Sequence, residues 1–120
     1  MDPAHVANAL VVDDDGALRL LLRVNLELDG FTVREAATVV DAEAAVRSLR
    51  PDVVLLDVHL GGDRTLELLD TLRADGIPVA LVTGSVDVEI YRDRADAIVA
   101  KPFNPEELVK IARRLAKVDA

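Results

Sequence analysis

Apolar and polar positions follow two different rhythms along this chain. Four short runs contain no polar residue: Ala9-Leu10-Val11-Val12, Val53-Val54-Leu55-Leu56, Val79 to Val82, and Ala97 to Ala100. Between them, apolar residues return every three or four positions. The uninterrupted runs read as strands, the first buried on both faces and Val53 to Leu56 central, and the longer stretches read as amphipathic helices. A further strand near Thr32 to Glu35 alternates Val33 with polar neighbours, which predicts an edge position. Strand and helix alternate through the whole length. That order predicts an α/β fold, a five-stranded parallel sheet with five helices on its two faces.

The helix boundaries carry their own signals. Asp13, Asp14, Asp15 and Gly16 form a turn, and the first helix carries Leu18, Leu21, Leu22 and Leu28 at helical spacing before ending at Asp29-Gly30. Thr38 and Asp41 predict a capped second helix with Val39, Ala42, Val46 and Leu49 facing inward, closed by Pro51. A third carries Leu66, Leu69 and Leu72 and stops at Asp75-Gly76. A short fourth is expected between Val86 and Arg94, although Val86, Val88 and Ile90 fit a helical period badly. Asn104-Pro105-Glu106-Glu107 opens the fifth with a cap, a first-turn proline and two acids, and Leu108, Ile111, Ala112 and Leu115 supply its inner face.

Composition narrows the function. With 120 residues the expectation is one domain, residues 1–120, with a core from about 9 to 116. Aromatic residues make up only 2%, so that core is aliphatic. The absence of cysteine excludes a disulfide framework and a thiolate metal site. A formal net charge of −8 argues against direct contact with nucleic acid or an anionic membrane, since those surfaces need basic patches. The amino terminus has neither the basic nor the apolar segment of a signal peptide, and no apolar run approaches a membrane span. A cytoplasmic location is the expectation.

The chemistry lies where the apolar runs stop. Asp13 and Asp14 follow the first, Asp57 the second, Thr83 the third, and Lys101-Pro102 the fourth. A parallel sheet brings the carboxyl ends of its strands to one edge, so these side chains are expected to meet. Each is ordinary alone: the acids as loop or cap residues, the threonine as turn chemistry, the lysine as a surface cation. Together they form a set. Two unit charges about 4 Å apart repel by roughly 4 kcal/mol at an effective dielectric near 20, so three clustered acids call for a cation. Hard oxygen ligands favour Mg²⁺. Lys101 and Thr83 would offer a positive charge and a hydroxyl to the oxygens of a transferring phosphoryl group, leaving Asp57 as a nucleophile that forms an acyl phosphate.

The segments Leu10-Val11-Val12-Asp13-Asp14-Asp15, Val54-Leu55-Leu56-Asp57, Val82-Thr83-Gly84 and Lys101-Pro102-Phe103 resemble the receiver domain of bacterial two-component response regulators. The resemblance runs from about Ala9 to Leu115. It implies the flavodoxin-like receiver fold with strand order 2-1-3-4-5, the order of the chemotaxis member of that family. By position it implies that Asp57 accepts a phosphoryl group from a phosphohistidine on a sensor histidine kinase or histidine phosphotransfer protein. It implies further that Asp14, Asp57 and the backbone carbonyl of His59 bind Mg²⁺ while Asp13 helps hold it through water, that Thr83 and Lys101 grip the phosphoryl group, and that the Lys101-Pro102 peptide is cis. Such a domain is a phosphoacceptor switch that assists its own phosphorylation and dephosphorylation, rather than a turnover enzyme. It controls a downstream protein or a fused output domain. Helix four, strand five and helix five could support a homodimer.

Departures from the family pattern are also visible. Ile98 stands where many receivers carry a rotating Tyr or Phe, three residues before the lysine. Leu60-Gly61-Gly62 and Arg64-Thr65 replace the usual Met-Pro and Asp-Gly of the loop after the acceptor. The span from Thr83 to Lys101 is a few positions shorter than is common. Two other functions use similar residues. An interaction module that keeps the fold without phosphorylation fits Ile98 and the altered loop. A small phosphohydrolase of the haloacid dehalogenase type would need an acid two residues after Asp57, where this chain has His59, and more chain for a cap.

Overall fold

The computed structural model describes residues 6–58, 63–84 and 91–117. Its central strands are three of the four apolar runs, while the fourth, Ala97 to Ala100, lies in an edge strand where only Val99 is buried. The central three are β1 (Asn8–Val12), β3 (Val53–Asp57) and β4 (Val79–Gly84), flanked by β2 (Thr32–Ala36) and β5 (Ala97–Lys101). All neighbouring pairs are parallel, and the order is β2-β1-β3-β4-β5. The alternating strand is therefore an edge, as its pattern required. Every residue of β1 and β3 is buried, while β2 shows the exposed and buried positions of a strand with a wet side.

Successive side chains of these strands feed two separate cores. On one face Ala9, Val11, Val53, Leu55 and Val82 pack with Leu22, Leu26, Leu108 and Ala112, which belong to α1 (Gly16–Leu28) and α4 (Pro105–Ala116). On the other Leu10, Val12, Val54, Leu56 and Leu81 pack with Val39, Ala42, Leu68, Leu69 and Leu72 of α2 (Val39–Ser48) and α3 (Asp63–Ala74). Because α1 and α3, the helices that follow β1 and β3, pack on opposite faces, this strand pair is the switch point of the sheet, where doubly wound folds open a ligand crevice.

Local signals hold the helix ends. Asp15 caps α1 by accepting from the N–H groups of Ala17 and Leu18. Thr38 Oγ1 accepts from the Asp41 N–H at 3.1 Å, and Asn104 Oδ1 accepts from the Glu106 N–H at 2.9 Å with Pro105 as the first helical residue. Gly30 and Gly76, which end α1 and α3, take φ of +100° and +74°, a region costly for residues with a Cβ.

Three expectations are corrected. In α1 the inner face is Leu22 and Leu26 with half-buried Leu18, whereas Leu21 and Leu28 are exposed together with Leu20 and Val24. Apart from a polar stripe of Arg19, Arg23 and Glu27 the helix is apolar over most of its circumference, so spacing alone permits more than one inner face, and packing on the sheet selects one. Leu49 lies at the end of α2 in extended backbone and is exposed, because the helix stops before reaching it. Asp57, Thr83 and Lys101 are strand residues rather than residues following strands, since β3, β4 and β5 each run on to include them. The helix expected between Val86 and Arg94 falls largely on residues outside those described, so the described helices number four. No helix among the described residues is long and apolar enough to cross a membrane.

Candidate functional site

The β1–β3 register pairs Val12 with Leu56, and the next step along each strand is Asp13 and Asp57. Both carboxylates are buried, Asp13 at 3% exposure and Asp57 at 4%, and exposed Asp14 stands beside them. One oxygen from each of the three acids lies within 4.8 Å of the other two. At that separation each pair of unit charges repels by roughly 3 kcal/mol for an effective dielectric near 20. The resulting stress is visible on Asp13. Burial pushes its carboxyl above the ordinary value, the charges of Asp57 and Asp14 push the same way, and the Asp15 N–H and Lys101 oppose them.

Lys101 enters from the end of β5, two strands away. Its Nζ lies 3.7 Å from Asp57 Oδ1 and 3.9 Å from Asp13 Oδ2, ion-pair distances without direct hydrogen bonds. The Lys101-Pro102 peptide is cis, as the family resemblance implied. One ammonium against three carboxylates leaves a local charge of two negative units, which a single divalent cation would neutralise. The donor set is entirely hard oxygen. It fits Mg²⁺ and offers no soft ligand to a competing metal.

Thr83 lies fully buried near the end of β4, one step beyond Val82, the register partner of Asp57. Its hydroxyl donates to the carbonyl oxygen of Gly84 at 3.1 Å, turned onto its own strand. Ile98 pairs in register with Leu81 and is half-buried on the α2–α3 face. His59 and the Leu60-Gly61-Gly62 loop lie outside the described residues.

The structure adds a residue that motif reading passed over. Arg19, in the first turn of α1, donates from Nη1 to the Asp13 carbonyl oxygen at 2.7 Å and from Nε to Glu35 Oε1 at 3.1 Å. Arg23 Nη1 reaches the other oxygen of Glu35 at 2.8 Å. Those bonds from Arg23 and Arg19 hold the Glu35 carboxyl below its ordinary range. A signal did exist: a cation near the positive end of a helix is misplaced unless an acceptor there holds it.

Acids at the switch point of a doubly wound sheet, faced by a lysine, form a site suited to phosphoryl chemistry. The family model described as the response regulator receiver domain matches residues 9–113. The chain is 40% identical over 116 residues to the DNA-binding response regulator MtrA of Mycobacterium tuberculosis, covering 92% of this chain and 51% of that protein. Among solved structures it is similar to the receiver domain of NtrX from Brucella abortus, with a TM-score of 0.83, 28% identity and coverage of 92% and 99%. It is also similar to a CheY-like response regulator receiver domain protein from Methanospirillum hungatei, with a TM-score of 0.82, 29% identity and coverage of 94% and 96%. The chain belongs to the receiver domain family of two-component response regulators, the phosphoacceptor switches of those systems. It spans about half the length of the curated relatives it matches.

Proposed function

We propose that Asp57 is the phosphoacceptor of this receiver, that Asp13 and Asp14 hold Mg²⁺ beside it, and that Lys101 and Thr83 bind the transferred group. The observation that carries the reading is a buried Asp57 carboxylate that shares a 4.8 Å cluster with two other acids and has the Lys101 ammonium 3.7 Å away. An oxygen of Asp57 attacks phosphorus, and the new P–O bond forms as the P–N bond of a phosphohistidine breaks and the imidazole departs. Mg²⁺, when bound, supplies positive charge to the acids and to the equatorial oxygens of the phosphoryl group. Lys101 pairs with one of those oxygens. Thr83 exchanges the Gly84 carbonyl for another, a rotation about one side-chain bond that alters the packing at the β4–β5 edge. A two-state switch follows when phosphorylation favours one arrangement of that edge.

The donor on this reading is a sensor histidine kinase or histidine phosphotransfer protein. The output is a separate partner or further domain. Net charge −8 fits an output in which a separate partner or further domain, rather than this receiver, makes any contact with DNA, and the MtrA relative is itself a DNA-binding response regulator. Incubation with a small-molecule phosphodonor and Mg²⁺ tests the reading by intact mass. The expected result is addition of one phosphoryl group, lost in Asp57→Asn. Addition that persists in that variant would place the acceptor elsewhere and overturn the assignment.

A further inference from the structure

We infer that Arg19 is a positioning residue that sets the aim of the two carboxylates of the β1–α1 turn toward a divalent cation. This rests on reading Asp13, Asp14 and Asp57 as that cation's seat.

Asp13 is held at three atoms. Its N–H donates to the Ala36 carbonyl at 3.1 Å, its Oδ1 accepts from the Asp15 N–H at 2.9 Å, and its carbonyl oxygen accepts from Arg19 Nη1 at 2.7 Å. The first two holds come from backbone that a strand end and a tight turn supply by themselves. The third depends on one side chain. What it holds matters because the carbonyl oxygen of Asp13 belongs to the planar peptide that joins Asp13 to Asp14. Fixing that oxygen fixes the plane from which Asp14 departs, and so the angle between the two carboxylates. The Asp13 oxygen left over is Oδ2, the one that faces Lys101.

Arg19 is itself braced. Glu35, on edge strand β2, takes its Nε at 3.1 Å and is gripped on its other oxygen by Arg23 at 2.8 Å. The Arg19 and Glu35 side chains are only 21% and 26% exposed, so solvent screens this pair less than a surface ion pair. A planar guanidinium can bond the carbonyl and the carboxylate together. A lysine ammonium, a single point at the end of a flexible stem, holds neither in a fixed plane.

Calorimetric titration of the full chain with Mg²⁺, alongside amide NMR spectra, tests the inference. Arg19→Met should weaken Mg²⁺ binding about ten- to a hundredfold, the range typical of partners that orient metal ligands. Arg19→Lys should weaken it nearly as much, because the fork is lost although the charge is kept. Glu35→Gln should cost a few-fold, and adding it to Arg19→Met should cost nothing more. If Arg19 acted only through its charge, Arg19→Met would tighten Mg²⁺ binding and Arg19→Lys would be silent; that outcome overturns the inference. So does an Arg19→Met variant that melts earlier but binds Mg²⁺ as the native chain does. Should Arg19→Met not fold, Glu35→Gln decides: weakened binding with shifted Asp14 and Asp15 amides supports the role, and native binding overturns it. Failure of the underlying seat looks different, since the native chain would then bind no Mg²⁺, or bind it equally well after Asp13→Asn.

Discussion

At the end of β1, Asp13 is gripped at its N–H, its carbonyl oxygen and one carboxylate oxygen by bonds of 2.7 to 3.1 Å, while across the crevice Lys101 approaches its acid partners no closer than 3.7 Å and Thr83 commits its hydroxyl to Gly84. The acid bank is built before any ligand arrives. On the proposed function the β4–β5 bank changes partners when the phosphoryl group arrives. The difference reflects what each bank must do. Three like charges keep their spacing only if the backbone beneath them is tied down, whereas on the proposed function Thr83 and Lys101 respond to the arrival of a phosphoryl oxygen. The moving side on that reading is β4–β5, where Thr83 would leave its 3.1 Å bond to the Gly84 carbonyl.

Substitutions can break this contrast. The largest effect is expected from Asp57→Asn, which should abolish phosphoryl uptake by intact mass while leaving the fold intact by circular dichroism. Next, Asp13→Asn should weaken Mg²⁺ binding about a hundredfold, the upper end of the range for a group that supports the ion through an intermediary, because it also removes one of the three clustered charges. Lys101→Met should do the reverse. Mg²⁺ binding, read by calorimetry, should hold or tighten once a competing cation is gone, and only the spectral response to beryllofluoride should fall. Parallel weakening of Mg²⁺ in both variants would erase the distinction between the banks.

Smaller effects sharpen it. Asp15→Ala and Asn104→Ala each remove a helix cap and should each cost about 1 kcal/mol in denaturant unfolding. Only Asp15→Ala should also disturb the Mg²⁺ titration, because only that cap belongs to the turn bearing the acids. The pH dependence of stability without divalent cation should run in opposite directions for two carboxyls. Asp13 titrates above its ordinary 3.8 in the folded chain, so its contribution is greatest below 3.8 and is lost as pH rises through the raised value. Glu35 titrates below its ordinary 4.5, so its contribution is present above 4.5 and is lost as pH falls through the lowered value. Unfolding curves of Asp13→Asn and Glu35→Gln, each subtracted from the native chain across the acid range, should slope with opposite sign.

Much of this was legible before the structure. Three runs such as Val53-Val54-Leu55-Leu56 have no polar side to offer water and are buried central strands, whereas the equally apolar Ala97 to Ala100 lies in an edge strand with only Val99 buried, so an apolar run marks a strand but not always its place in the sheet. Caps at Thr38 and Asn104 were readable because capping is a contact between residues two or three apart. Leu21 and Leu28 were not, because a helix that is apolar on most of its circumference needs its neighbour to define an inside. Arg19 and Glu35 were missed for a similar reason. They lie 16 positions apart, and nothing local marks them as partners.

The one-dimensional order of residues thus determined the kinds of element, the sheet edge where the acids, threonine and lysine would gather, and the class of chemistry they serve, since each depends on short-range periodicity or on strand direction. The tertiary fold decided which stripe of α1 turned inward, which oxygen of Asp13 was left facing Lys101, and which arginine steadied the turn beneath it. Those choices are made by contacts between segments distant in sequence, where packing and hydrogen bonding select among arrangements that local pattern leaves equal.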